Sequence, residues 1–401
     1  MSFLNIVMYI IPFITLPYQV RVLGPEKFGL VAFAAAFIQY FSVLNDYGFE
    51  ASATRRIALY RHNQKSMSQI FCSVMLIKFT LLIFSLLVIP IITFLVPGLR
   101  NNLLIVIMSL PLMFGGFLFP VWLFLGNERM KYVSFVNILS RSLFLVLLFV
   151  FIHKPDDYYL VPVINSLGAI IAGILSLYIG IKRFKIILFI PKLKAIMKEF
   201  RHSTQFFYMK LSQIIYANTN TFALGLTGAP TYVGYYASAN KISTAVSYIL
   251  YSIQTVLYPY MTKHKNLDFY KKVFWLSLML IAGVSGFMFI FSKQIILLIF
   301  GSDMLYAHNI LRIFSIVIFV GLINSLLGYS LLGAFGHMKE SNNVIIYASI
   351  FHVIMLFVLY AFGKLDVFNI TYLVVLTNVL MLSTRIFLVK KYNLWSPQKA
   401  K

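Results

Sequence analysis

Acidic side chains are scarce: 11 Asp and Glu stand against 34 Lys and Arg, and charged residues of both signs make up only 11% of 401 positions. A soluble domain carries roughly 25% charged residues, so a fully hydrated surface is excluded. The single cysteine, Cys72, rules out an intramolecular disulfide and reads as a small apolar packing residue. Also missing are a metal-ligand cluster, a Gly-x-Ser-x-Gly elbow, a P-loop and a loop bearing paired carboxylates. The seven histidines are scattered, and mid-helix His352 reads as a packed polar residue. These absences argue against an enzyme. No cleavable signal peptide is apparent, because the first apolar stretch has neither a basic lead nor a small-residue cleavage site, so it reads as a retained span.

What the chain has instead is hydrocarbon. Hydrophobic residues fill 60% of positions, and the mean hydropathy is +0.86. Runs such as 70–95, 103–125 and 344–362 reach or exceed the length needed to cross a bilayer, about 20 residues. The pattern predicts an all-α polytopic membrane protein with about 12 transmembrane helices, near 4–23, 29–56, 69–95, 102–125, 132–152, 159–181, 203–228, 233–260, 271–293, 304–333, 342–363 and 367–389. A net charge of +23 would suggest nucleic acid in a soluble protein. Its distribution gives another cause. With the N-terminus inside, the cytoplasmic loops, their flanks and the tail hold 22 of the 34 Lys and Arg, whereas Lys27, Arg100, Lys154, Lys293 and Lys364 are the five on the other side. That asymmetry follows the positive-inside rule and puts both termini in the cytoplasm. Trp122, Trp275 and Trp395 fall at the predicted cytoplasmic interface.

The longest cytoplasmic connection divides the helices six and six. The expected organisation is an N-terminal lobe over 1–181, a linker over 182–202, a C-terminal lobe over 203–389 and a basic tail over 390–401. Within the linker, Leu193, Ile196, Met197 and Phe200 fall at helical spacing among lysines, which suits an amphipathic segment on the anionic inner leaflet or a solvated basic loop. Gly29-Leu-Val-Ala32-Phe-Ala34 recurs as Gly234-Tyr-Tyr-Ala237-Ser-Ala239, each after a Gly- and Pro-containing loop. An even number of helices per half gives a pseudo-two-fold axis along the membrane normal, with a substrate site between the lobes.

Seven basic groups fall inside predicted spans: Arg21, Lys78, Arg141, Lys210, Lys241, Arg312 and Arg385. Each costs at least about 2.5 kcal/mol at mid-bilayer, so lipid-facing positions are disfavoured. Only Asp46 and Glu50, one turn apart on the second span, are clear intramembrane acids. Two anions cannot neutralise seven cations, so a water-filled cationic cavity receiving an anionic substrate is expected. Substrate-binding candidates are Arg141, Lys210, Lys241 and Arg312, then Arg21 and Lys78, whereas Arg385 reads as an interfacial anchor. Asp46 and Glu50 are candidates for ion coupling, with Arg55 and Arg56 close enough for plain salt bridges. Polar faces support a hydrated path: Gln39, Ser42, Asp46 and Glu50; Lys210, Gln213, Ala217, Asn220 and Thr221; and Lys241, Thr244, Tyr248, Ser252 and Thr255. The alternative is that these stripes hold helices together. Pro12 and Pro17 in the first span are candidate hinge positions.

The stretch Leu16-Pro17-Tyr18-Gln-Val-Arg21-Val-Leu23-Gly24-Pro25-Glu26-Lys-Phe28-Gly29, together with Asp46-Tyr47-Gly48-Phe49, Ser52-Ala53-Thr54-Arg55 and Pro120-Val-Trp122-Leu-Phe-Leu-Gly126-Asn-Glu128-Arg-Met130, resembles oligosaccharide flippases of the Wzx type. These belong to the multidrug/oligosaccharidyl-lipid/polysaccharide exporter superfamily. The resemblance is specific over about 12–142 and thinner beyond, where it rests on helix count, the Gly234–Lys241 segment and Tyr258-Pro259. It implies two six-helix bundles around a cationic cavity in a bacterial inner membrane. It also implies translocation of undecaprenyl-diphosphate-linked oligosaccharide repeat units, of O-antigen or a related surface polysaccharide, by alternating access. No cofactor is implied; the drive would be membrane potential, H+ or Na+. Implied partners are the lipid-linked oligosaccharide, membrane lipids and the polymerase and chain-length regulator of the same pathway. Members usually begin with a longer basic lead, and here only 11 residues precede Pro12, so the start lies upstream or the first helix is short. The rival readings are a multidrug exporter of the same superfamily, which should carry cavity carboxylates, and a membrane polysaccharide polymerase or ligase.

Overall fold

Proline and glycine decide where these apolar runs are interrupted. The computed structural model describes residues 3–395. Helix α1 (Phe3–Asp46) carries non-helical dihedrals at Gly24 (φ 67°, ψ 175°), which divides it where the first two predicted spans meet. Pro12 and Pro17, the candidate hinge positions, lie inside its first helical part. Next come α2 (Phe49–Tyr60) and α3 (Gln64–Leu95). A short α4 (Pro97–Arg100) leads into the fourth span, which is cut into α5 (Leu103–Ser109), α6 (Pro111–Leu118) and α7 (Val121–Gly126). Pro97, Pro111 and Pro120 stand at or next to the starts of three of these pieces, where a missing N–H is harmless. Helices α8 (Met130–Phe151) and α9 (Leu160–Arg183) follow, then α10 (Leu193–Leu226) and α11 (Pro230–His264). The chain continues as α12 (Leu267–Ile290), α13 (Ser292–Phe300) and α14 (Ala307–Ser325). A π-helical stretch (Leu326–Gly333) precedes α15 (Met338–Ala361) and α16 (Val367–Lys391).

Each of the twelve predicted spans has a helical counterpart, and the protein is an all-helical, multi-pass membrane protein. Among the described residues nine segments meet the length and hydropathy of a span, the first of them, Ile11–Tyr60, joining two predicted spans. Helices α10 and α11 fall short because of their polar faces. Large apolar side chains stand exposed along the outer faces, for example Leu95, Ile290, Leu298 and Phe357. In water such a surface would aggregate; here it meets lipid.

Two compact units divide the chain at Thr231/Tyr232. The first therefore includes α10, which the sequence assigns to the second lobe. The reason is packing: Tyr47 stacks between Phe200 (4.4 Å) and Phe207 (4.6 Å), Phe222 stacks on Phe33 and Phe37 (5.6 and 5.7 Å), and Ser52 and Ser203 share a buried 2.6 Å hydrogen bond. Small residues bring α6 and α9 together: Gly115 faces Ala169 and Gly173 faces Leu118 so closely that a Cβ on either glycine would overlap its neighbour. Trp122 is not interfacial; it is fully buried beside Phe71 (5.7 Å). Trp275 is exposed as expected.

In the second unit, Arg385 is buried, not an interfacial anchor. Its Nη1 donates to the Asn324 carbonyl at 2.6 Å, and the guanidinium lies flat against Gly328 of the π-helical stretch. The shifted hydrogen-bond register there releases carbonyls that an α-helix would occupy. His352 is a packed polar residue, its Nδ1 2.8 Å from Thr377 Oγ1. Only the start of the predicted basic tail, to Trp395, lies within the described residues.

Candidate functional site

The site begins with a helix break in the first unit. Asp46 ends α1, and Tyr47 (φ 44°) and Gly48 (φ 73°) both adopt left-handed backbone before α2 starts at Phe49. The two carboxylates therefore flank a turn and do not lie one helical turn apart, as continuous helix would have placed them. Gly48 is needed twice over. Its φ suits glycine, and a Cβ there would sit 2.7–2.8 Å from the backbone of Phe206 and Phe207 on α10. A Gly48→Ala substitution should lower the thermal midpoint of the detergent-purified protein by several degrees, from about 1–2 kcal/mol of left-handed strain plus the overlap. An unchanged midpoint would show that the backbone at position 48 and α10 both adjust to remove strain and overlap.

This close approach brings Lys210 to the break. Its Nζ donates to Asp46 Oδ2 and to Glu50 Oε2, both at 2.8 Å. Lys210 and Asp46 are partly buried, whereas Glu50 is about half exposed. The acids thus pair with Lys210 and not with Arg55 or Arg56. Arg56 turns the other way, into a buried ion pair with Glu199 at the linker end of α10.

Lys78, buried in the middle of α3, completes the cluster. Its Nζ donates to the Gly116 carbonyl at 2.8 Å. In an unbroken helix that carbonyl would accept from residue 120, but Pro120 has no N–H and Phe119 is already extended. The proline that breaks the fourth span thereby creates the acceptor that holds Lys78. Lys78, Lys210, Asp46 and Glu50 line one cavity of about 190 Å³, with Ser42 and Asn45 on its α1 wall. Two cations and two anions balance formally, so within this unit the cavity is not cationic.

The other predicted cations lie elsewhere. Arg21 and Arg141 are exposed on α1 and α8, and Arg141 does not line this cavity. Arg312 reaches back to the start of α13, donating from Nε to Ser292 Oγ at 3.0 Å beside the Phe289 ring. It shares its helix face with exposed Ile316. An arginine stem can carry its head toward a span end in this way. Lys241 begins an exposed polar face on α11 continued by Tyr248, Ser252 and Thr255. Fourteen residues of helix extend this face over about 21 Å.

Sequence reasoning missed three participants: the Gly116 carbonyl, Asn45 and Glu199. For the first, Pro120 four residues on was the available signal. The others carry none without the fold.

With this geometry in view, the comparisons are decisive on family. Residues 1–265 match the family described as "Polysaccharide biosynthesis protein". The chain belongs to that family. It is 28% identical over 355 residues to "Putative O-antigen transporter" of Escherichia coli (strain K12), covering 87% of this chain and 86% of that one. A protein of the same description from Shigella dysenteriae is 27% identical over 265 residues, 66% of each chain. Among solved structures, "Lipid II flippase MurJ, inward closed conformation" superposes with a TM-score of 0.75 at 16% identity, covering 96% of this chain and 86% of that one. An inward-facing multidrug resistance MATE family transporter of the MOP superfamily gives 0.73 at 14% identity, covering 100% and 97%. At these identities the structures establish a shared fold, that of the family to which the resemblance pointed.

Proposed function

We propose that this protein is a flippase that moves polyprenyl-diphosphate-linked oligosaccharide repeat units, of O-antigen or a related surface polysaccharide, across the bacterial inner membrane. The observation that carries this reading is the Lys78–Lys210 cavity, in which two carboxylates hold the place of a dianion. Asp46 and Glu50 present two negative charges to Lys210 at hydrogen-bonding distance, the charge of a diphosphate diester. An incoming diphosphate competes for Lys210 and draws on Lys78, and Asp46 and Glu50 are released. The glycan follows hydrated polar surface such as the Lys241–Thr255 face, while the polyprenyl chain stays in lipid. Arg141 and Lys241 are further contacts for the anionic head; Arg21 and Arg312 act near span ends. Alternating access then exposes the load to the opposite side.

An inside-negative potential favours outward movement of anions by about 2.3 kcal/mol per charge per 100 mV, which is ample for two phosphate charges. Released carboxylates are also free to take H+ or Na+ on the return step. The names of the relatives and the absence of a catalytic motif from the sequence support a transporter and not an enzyme. The basic loops support cytoplasmic termini.

The test is complementation of a flippase-deficient strain with a matching glycan pathway. Restored surface polysaccharide is the expected result. Continued accumulation of lipid-linked repeat units on the cytoplasmic face, with the protein present at normal level, would overturn the reading. A gain of resistance to cationic drugs in its place would move the protein to the multidrug branch of the fold.

A further inference from the structure

We propose that the linker between α9 and α10, together with the adjoining face of α3, binds one anionic phospholipid of the surrounding membrane. Residues 184–192 form no helix, yet they are strongly apolar: Ile186-Ile-Leu-Phe-Ile190-Pro191. Irregular backbone survives beside hydrocarbon only where its polar groups find protein partners. Three side chains of α3 supply them. Gln64 Nε2 donates to the Lys185 carbonyl at 2.6 Å, Ser68 Oγ accepts from the Ile187 N–H at 3.0 Å, and Cys72 Sγ contacts the Ile187 carbonyl at 3.6 Å. Gln64, Ser68 and Cys72 are spaced four apart, so they form one stripe along the helix. The strap is thus pinned by its backbone and by buried Ile186, and the side chains of residues 187–190 are left exposed.

The result is a groove of about 460 Å³ between the strap and α3, walled by side chains that include Phe71, Met75, Leu76 and Phe79 on one side and Leu188 and Ile190 on the other. Ile190 is 90% exposed. The chain on either side of the strap has the opposite character. Lys182, Arg183 and Lys185 precede the strap, Lys192 and Lys194 follow it, and all five are exposed. No acidic residue occurs between Asp157 and Glu199, and none of the five forms an ion pair among the described residues. An apolar trough edged by unpaired cations matches a molecule with a hydrocarbon chain and an anionic head. Basic clusters of this kind attract anionic lipid surfaces. The trough lacks polar walls for a glycan, which favours a phospholipid over the transported substrate. This site is separate from the Lys210 cavity, and the inference does not depend on the proposed transport activity.

The test uses the full-length chain with Ile190→Trp, an exposed position, reconstituted in vesicles of phosphatidylcholine containing 20% of a bromine-labelled lipid, with the unsubstituted chain as the fluorescence blank. Brominated phosphatidylglycerol should quench the new tryptophan at least about twofold more than brominated phosphatidylcholine. The preference should vanish when Lys182, Lys185, Lys192 and Lys194 are all changed to Gln. Native mass spectrometry of the unsubstituted chain should retain one phosphatidylglycerol at collision energies that strip phosphatidylcholine. Equal quenching by the two lipids, or a preference that survives loss of the four charges, would overturn the proposal. So would displacement of phosphatidylglycerol by trace polyprenyl diphosphate, which would assign the groove to the substrate's own tail.

Discussion

Lys210→Met should reduce surface polysaccharide in the complemented strain by at least about tenfold, the largest effect expected of a single side chain here. Lys210 is the one group bound to both Asp46 and Glu50, and it does so across the break at Tyr47-Gly48. Its removal leaves two carboxylates facing the cavity without their counter-charge. Part of the loss could therefore be structural. The triple substitution Asp46→Asn, Glu50→Gln, Lys210→Met separates the two causes, because it removes the stranded charges together. Membrane level should then recover while export stays low, as expected if Lys210 takes the diphosphate. Recovery of export along with protein level would show that the lysine only neutralises its neighbours, and the substrate assignment at this cavity would fall.

Glu199→Ala should cost on the order of 3–5 kcal/mol of stability, read as a lowered thermal or denaturant midpoint. Arg56 is mostly buried and its partner Glu199 almost wholly so. Removing one member of such a pair strands the other in low dielectric. The pair also carries a pH signature. Burial holds the Glu199 carboxyl above its ordinary value, and the attraction of Arg56 only partly offsets this. A raised folded-state value means that the protonated form is favoured on folding. The associated stability is full below the unfolded carboxyl range, near 4.3, and is lost as pH rises through the raised value. Glu199→Gln imitates the protonated form and keeps a hydrogen-bond acceptor for Arg56, so it should cost less than Glu199→Ala. It should also flatten the fall in stability as pH rises above the ordinary carboxyl range. Equal losses for Gln and Ala, with unchanged pH dependence, would show that the carboxylate charge itself is required.

The balanced cavity bears on how the charge excess is read. Seven cations in predicted spans looked like one cationic lumen, but their environments differ. Lys78 is held by a carbonyl that a proline left vacant. Lys210 is neutralised, Arg385 is built into a π-helical stretch and Arg312 reaches a span end. Lys241 is exposed and begins a polar face along α11. Charge counting predicts that buried cations need partners; it does not say which partners are charges and which are backbone.

The sequence by itself determined the membrane class, the twelve spans, the Gly24-Pro25 loop between the first two of them, and the family. Each of these rests on local information: apolar runs long enough for hydrocarbon, residues that lack an N–H or favour positive φ, and short signatures within a few turns. It also marked Lys210, Asp46 and Glu50 as unusual, because a charge in an apolar run is visible without a fold. The tertiary structure decided who meets whom. Asp46 and Lys210 are 164 positions apart and Arg56 and Glu199 are 143 apart, distances over which no helical periodicity carries. Likewise, burial of Trp122 and Arg385 follows from which face of a helix a neighbour covers, and an all-round apolar helix gives no sign of that face until the packing of small residues brings two helices into contact.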